Sequence, residues 1–321
     1  EAYAKKAYGM ITDELKKSPT TRACRFATIH RDATKILMDL LEDTKLRTMV
    51  GKVNMDRNAP EYLCETTEES REETLRWLKD MEGHYQYTSP ILTPRFIPSC
   101  TDSLMVKLGE IQKEHHLPVQ SHLSENEGEI AWVKDLCTAA GFYGEGYEQA
   151  GLFGNGCKTV MAHCVSSAEE EIALIRKNGV YVAHCPQSNM NLSSGIAPVR
   201  KYLNEGLHVG LGSDLAGGSS MSMFRAMSDA IQVSKLYWRL VDQTASPLTL
   251  KEVFYLATRG GGEFFGKVGS FEAGFAFDAL VIDDESIWHP QPLGLLERLE
   301  RVIYLGDSSN IVEKIVEGET I

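Results

Sequence analysis

The chain has no apolar run approaching the about 20 residues that span a bilayer, and no charged stretch followed by an apolar one opens it. Neither a membrane helix nor a secretory leader is expected. No basic stripe interrupts a net charge of −12, so nucleic acid and acidic membrane surfaces are not expected partners. The seven cysteines are odd in number and scattered, and no two form a C-x-x-C pair. This argues against a disulfide framework and against a cysteine-based zinc site, and for a reducing, cytoplasmic environment. Internal repeats, low-complexity tracts and a G-x-S-x-G nucleophile elbow are also missing.

What is present is a globular chain of 321 residues, long enough for one barrel-sized domain or two smaller ones. Short apolar stretches read as strands at 23–29, 47–55, 88–95, 117–121, 159–164, 180–185 and 207–212. Most lack strict alternation, the pattern of parallel strands covered on both faces. Helical stretches lie between them. Glu1–Lys17 and Leu104–His115 read as helices, and so does Arg71–Met81 with Ser70 as its N-cap. Ser124-x-x-Glu127, Ser167-x-x-Glu170 and Thr249-x-x-Glu252 read as capping boxes, and Asn178-Gly179 as a helix stop. Repeated βα units of this length suggest a (β/α)8 barrel or a doubly wound sheet. After about Gly266 the texture turns glycine-punctuated and strand-like, and residues 301–321 resemble a hairpin turning at Gly306–Asn310. The expected division is a barrel over 1–266 and part of a small β domain over 267–321.

In α/β barrels the chemistry stands at the C-terminal ends of strands. Here Arg95-Phe96 close one strand and His122, with Glu125 after it, closes the next. His163 and His184 close the two that follow, and Asp214 follows the last. Each has a bland reading. A single strand-end histidine is usually a satisfied polar group, Asp214 could cap a helix beginning near Ser222, and Glu125 could be a first-turn acid favoured by the helix dipole. Those readings would have to hold independently at consecutive strands, so one shared site is the better explanation. Histidine mixed with carboxylate suits a borderline metal such as Zn2+ or Fe2+ that activates a water, with a nearby carboxylate to carry the proton.

The blocks PRFIPSC, LPVQSHLSENEGEI, TVMAHCV, VAHCPQSNMNLSSG and VGLGSDLAGGSS resemble, in this order, the signature blocks of guanine deaminases in the amidohydrolase superfamily. TTRACRFATIHRDAT, VGKVNMDRN and the tail FFGKVGSFEAGFAFDALVID extend the similarity over nearly the whole chain. The resemblance implies a distorted (β/α)8 TIM-like barrel beside a small β-sandwich, hydrolysis of guanine to xanthine and ammonia, and a homodimer. It implies one divalent metal, zinc before iron, held by His122 and Asp214. Glu125 then shuttles the water proton, His163 lies near the activated water, and Asp214 also accepts from that water. Arg95 and Phe96 contact the purine, with His122 and Asp214 beside it, and His184–Asn189 lie at the pocket rim.

One departure stands out. The family's first strand ends in H-x-H, which supplies two further ligands, and this chain contains no H-x-H. His115-His116 is no substitute, because it ends a helix. The chain also starts at Glu1 rather than Met, with a helix and no strand before it. The expectation is therefore a barrel lacking its first strand in this chain, with about half the metal shell and no activity alone. A glutamine that helps read the purine is expected in the same absent segment. Ser166 stands where the family has a further histidine. The competing readings are a related hydrolase of a triazine, cytosine or adenosine, and an inactive barrel serving as a scaffold.

Overall fold

Strands that are apolar on both faces need cover on both sides, and parallel pairing with intervening helices supplies it. The computed structural model, which describes residues 1–321, has this arrangement. Its barrel strands are β1 (Arg22–Phe26), β2 (Arg47–Gly51), β3 (Val53–Asn54), β4 (Thr88–Pro90), β5 (Thr93–Pro94), β6 (Val119–Leu123), β7 (Thr159–His163), β8 (Tyr181–His184) and β9 (His208–Leu211). All seven expected strands are there; two of them are interrupted, β2–β3 at Lys52 and β4–β5 at Ile91-Leu92. Every pairing among them is parallel, in the orders β1-β2-β4, β3-β5 and β6-β7-β8-β9. A parallel bridge between Leu92 and Val119 carries the sheet across to β6. β1 and β9 each pair with one neighbour only, so the TIM-like barrel is open between them.

The outer layer is α1 (Ala2–Lys17), α2 (Arg31–Glu42), α3 (Thr67–Met81), α4 (Asp102–His115), α5 (Glu127–Leu136), α6 (Tyr143–Gln149), α7 (Glu169–Asn178), α8 (Pro186–Asn191), α9 (Val199–Asn204), α10 (Met223–Leu240), α11 (Leu250–Tyr255) and α12 (Leu295–Leu305). Leu41, Trp77, Leu104, Met161 and Ile175 sit in the shared core between sheet and helices. No helix is long and apolar enough to cross a membrane.

Local chemistry sets the helix ends, not always as the sequence suggests. Thr249 and Glu252 form their capping box, and Gly179 stops α7 in the left-handed conformation at φ 66°. α3 starts earlier than expected. Thr66 and Glu69 make the box, and Ser70 lies buried inside the helix, where its hydroxyl accepts from Asn54 Nδ2 at 2.9 Å. The expected box at Ser167 is not formed: Ala168 is the N-cap of α7, and the Ser167 hydroxyl has no partner.

The C-terminal residues form an antiparallel sheet of β10 (Ala279–Ile282), β11 (Ile311–Val316) and β12 (Glu319–Thr320). The hairpin turn is Glu317-Gly318, both with positive φ, and not Gly306–Asn310. Leu295, Leu299, Val302 and Ile303 recur at helical spacing, so the stretch before residue 306 is α12. The sheet docks through charge. Arg22 Nε and Nη2 donate to the two carboxylate oxygens of Asp278 at 2.8 and 3.1 Å. Lys314 Nζ donates to the carbonyls of Lys16 at 2.6 Å and Thr20 at 3.0 Å, at and just beyond the end of α1, where a cation suits the helix dipole.

Candidate active site

Parallel strands present their C-terminal ends on one rim, and register decides which side chains meet there. Leu123 stands opposite His163 across β6 and β7. The rings of His122 and His163 stack with centroids 5.4 Å apart. His122 Nδ1 lies 2.6 Å from the carbonyl oxygen of Arg95. A carbonyl only accepts, so Nδ1 carries the proton and Nε2 keeps its lone pair. His163 Nδ1 donates in the same way to Asn189 Oδ1 at 2.8 Å, leaving its Nε2 lone pair free as well. That Nε2 faces Glu125 Oε2 at 3.9 Å and Asp214 Oδ2 at 4.0 Å.

A lone pair facing two carboxylate oxygens is repulsive unless a cation or a proton donor stands between them. Two histidine lone pairs beside two carboxylates are a donor set that fits a divalent cation of borderline softness. The fit is partial. No three histidine, cysteine, aspartate or glutamate side chains stand close enough together to hold a metal on their own. His115 ends α4 and His116 caps it, at the opposite end of β6 from His122, so they add no donor.

The backbone at this rim is contorted. Ser124 (φ 45°), His163 (φ 75°), Cys164 (φ 47°) and Asp214 (φ 42°) all occupy the left-handed region. Each such residue costs on the order of 1–3 kcal/mol and persists only where its surroundings enforce it. Glu125 precedes α5 rather than lying in its first turn. Asn126 is the N-cap, accepting from Glu129 N at 2.9 Å. The expected box of Ser124 with Glu127 is not formed, because the kink at Ser124 sends its hydroxyl to the buried carboxylate of Glu171 at 2.7 Å. Nor does Asp214 cap the helix after it; Ser222 caps α10 itself. Gly217 lets the loop fold tightly over Asp214, since a Cβ there would lie 2.6 Å from Asp214 Oδ2.

Arg95 is exposed, with its guanidinium 4.6 Å over the Phe96 ring. Phe96 in turn meets Trp132 and His122 edge-on, at 6.3 Å each. This makes an aromatic and cationic wall next to the histidines. His184, at the C-terminal end of β8, is buried like His163, and neither of its ring nitrogens has a partner. Burial, with His163 nearby, pulls its basicity down to about 3, so it is neutral at ordinary pH. Burial also lowers His122, to about 4. Gln187 ties down the loop after Asp214 by accepting from the Ser219 and Ser220 amides at 2.8 and 3.0 Å.

Two contacting residues, Phe26 and Ser194, escaped the sequence reading, which placed Asn189 at the pocket rim. Phe26 stacks 4.9 Å from His122, and it closes β1, so the strand-end rule could have found it. Asn189 holds His163, and Ser194 donates to Glu125 Oε1 at 2.8 Å. No local signal marks the Ser194 contact, because it joins residues distant in the chain.

The amidohydrolase family model matches residues 1–321. The chain is 42% identical to the guanine deaminase of Mus musculus, over 99% of this chain and 72% of that protein. Its fold is similar to the crystal structure of guanine deaminase from C. acetobutylicum with guanine bound in the active site, with TM-score 0.96, 49% identity, and coverage of 100% of this chain and 76% of the other. E. coli guanine deaminase gives a TM-score of 0.90 at 30% identity, covering 100% and 75% of the two chains.

Proposed function

Because the chain belongs to the amidohydrolase family, whose members as a rule depend on a divalent metal, we propose that it catalyses the hydrolytic deamination of guanine to xanthine and ammonia. One observation carries this reading above all: the chain superposes over its full length, at 49% identity, on an enzyme that holds guanine in its active site.

We assign the roles as follows. His122 and Asp214 are metal ligands, with zinc the expected ion and iron the alternative. Such an ion supplies acidity, so that a water gives up its proton near neutral pH. Glu125 Oε2 takes that proton and passes it to N3 of the purine. His163 Nε2, on the same side as Glu125 Oε2 and Asp214 Oδ2, orients the water. Oxygen bonds to C2; its remaining proton passes by way of Asp214 to the exocyclic amine as the C2–N bond breaks, so ammonia leaves and C2 becomes a carbonyl. Arg95 and Phe96 hold the purine ring, a flat polar heterocycle that suits stacking beside a cation. The family habit of homodimerisation is carried over as part of this proposal, and the free state of all seven cysteines supports a cytoplasmic setting.

The test is ammonia release from guanine by the full-length parent protein, with and without added zinc, beside adenosine, cytosine and an amino-triazine. Release from guanine in preference to the others is expected. No release from guanine with metal supplied would overturn the reading.

A further inference from the structure

α8 is six residues long and ends in a closed cap. Ser193 N donates to Met190 O at 3.2 Å, and Ser194 N donates to Asn189 O at 2.9 Å. With Ser193 at φ 59°, these two bonds make a Schellman closure, whose left-handed position usually belongs to glycine. Gly195 follows at φ 122°. The chain therefore turns sharply on both sides of Ser194. Its hydroxyl leaves the line of the helix and reaches Glu125 Oε1, 2.8 Å away. Asn189, whose carbonyl takes the Ser194 amide, is also the residue whose side-chain oxygen accepts from His163 Nδ1.

We propose that this cap positions the acid–base pair, and that Ser194 is a positioning residue for Glu125. A carboxylate that accepts no other side-chain hydrogen bond can swing about its terminal bonds, because such torsions are broad. The Ser194 hydroxyl engages Oε1 and leaves Oε2 as the free oxygen, on the side of His163 Nε2. Asn189 fixes the other partner by holding the His163 ring and its tautomer. Both restraints issue from one turn of backbone, its outer side exposed at residues 190–193 and its inner side carrying the buried Asn189, so the separation of Glu125 from His163 is set by a single local structure. Ser193 accepts an uncommon conformation to make that turn, the kind of strain that surroundings must sustain.

The inference rests on the deamination reading, and the experiment keeps the two apart. In the zinc-loaded enzyme, Ser194→Ala should lower kcat for guanine about 10- to 100-fold, the usual worth of a hydrogen bond to a charged group expressed as a rate. KM, zinc content and Tm should stay at wild-type values, and Ser194→Thr, which keeps the hydroxyl, should restore most of kcat. A Ser194→Ala enzyme with kcat within about threefold of wild type would overturn the proposal. So would a loss of kcat that runs in step with zinc content or Tm and that threonine does not rescue. A wild type that releases no ammonia from guanine would remove the functional reading and this inference together, an outcome distinct from an active wild type beside an unimpaired Ser194→Ala.

Discussion

A carboxylate shuttles protons only if one oxygen is free, aimed and close to the groups it serves. Glu125 meets this description, with Oε1 engaged by Ser194 and Oε2 facing His163. Glu125→Gln keeps the shape and removes the base, so turnover should fall about 10²- to 10⁴-fold while metal content, measured by atomic emission, is unchanged. Normal turnover in that variant would end the assignment. One helical turn further on, Glu129 is buried, and burial pushes its carboxyl up to about 7. The folded state therefore holds a proton that the unfolded chain has released above its ordinary value of about 4.3. The stabilisation is complete below that ordinary value and is lost as pH rises through 7, leaving a cost of about 4 kcal/mol at pH 8. Glu129→Gln should remove this dependence. Urea unfolding of the variant and wild type should agree best near pH 4, with the variant gaining as pH rises to 8. A difference that stays constant with pH would refute the burial argument.

At the scale of elements, helix ends depend on which short polar side chain reaches the first-turn amides. Thr249 does so for α11, and Glu252 reciprocates while also accepting from Arg200 Nη1 and Nη2 at 2.6 and 2.8 Å. The Arg200 hydrogen bond is the main reason that the Glu252 carboxyl is held down at about 2. Thr249→Ala should cost about 1 kcal/mol, a fall of about 1–2 °C in Tm by calorimetry for a protein of this size. Thr249→Ser should cost much less. A calorimetric midpoint unchanged in the alanine variant would mean that the box adds nothing here. Ser124 loses to the same competition, whereas Ser167, also at capping spacing, is followed by a helix that no side chain caps. Asn126 and Ala168 occupy the N-cap positions instead. A kinked strand exit settles the first case: Ser124 turns toward Glu171.

For the whole molecule, the question is what fastens the C-terminal sheet to the barrel. The Arg22–Asp278 pair is almost fully buried, with side chains 9% and 5% exposed. Arg22 also bonds Glu317, so it clamps the loop before β10 and the turn after β11 to the first barrel strand. Removing one member of a buried pair strands the other charge, and Arg22→Ala should therefore destabilise by about 3–5 kcal/mol in urea. Replacing both Arg22 and Asp278 with apolar residues of similar size should recover most of that loss. Equal loss in the single and double variants would show that the clamp is not electrostatic.

Sequence alone determined the parts whose physics is local. Apolar runs flanked by caps marked all seven barrel strands, because a strand buried on both faces must be apolar along its length. The strand-end rule then brought His122, Glu125, His163 and Asp214 to one rim. The tail was misread at residues 301–305, which end a helix whose apolar period begins at Leu295. What only the tertiary structure decided is contact between residues remote in the chain. These are the Ser194 hydroxyl on Glu125, Asn189 on His163, the Arg95 carbonyl on His122, and the burial that keeps His184 neutral and Glu129 protonated. A hydrogen-bond partner or a desolvated carboxyl is a property of packed neighbours. No spacing along the chain encodes it until the strands have paired and the loops at their ends have closed over one another.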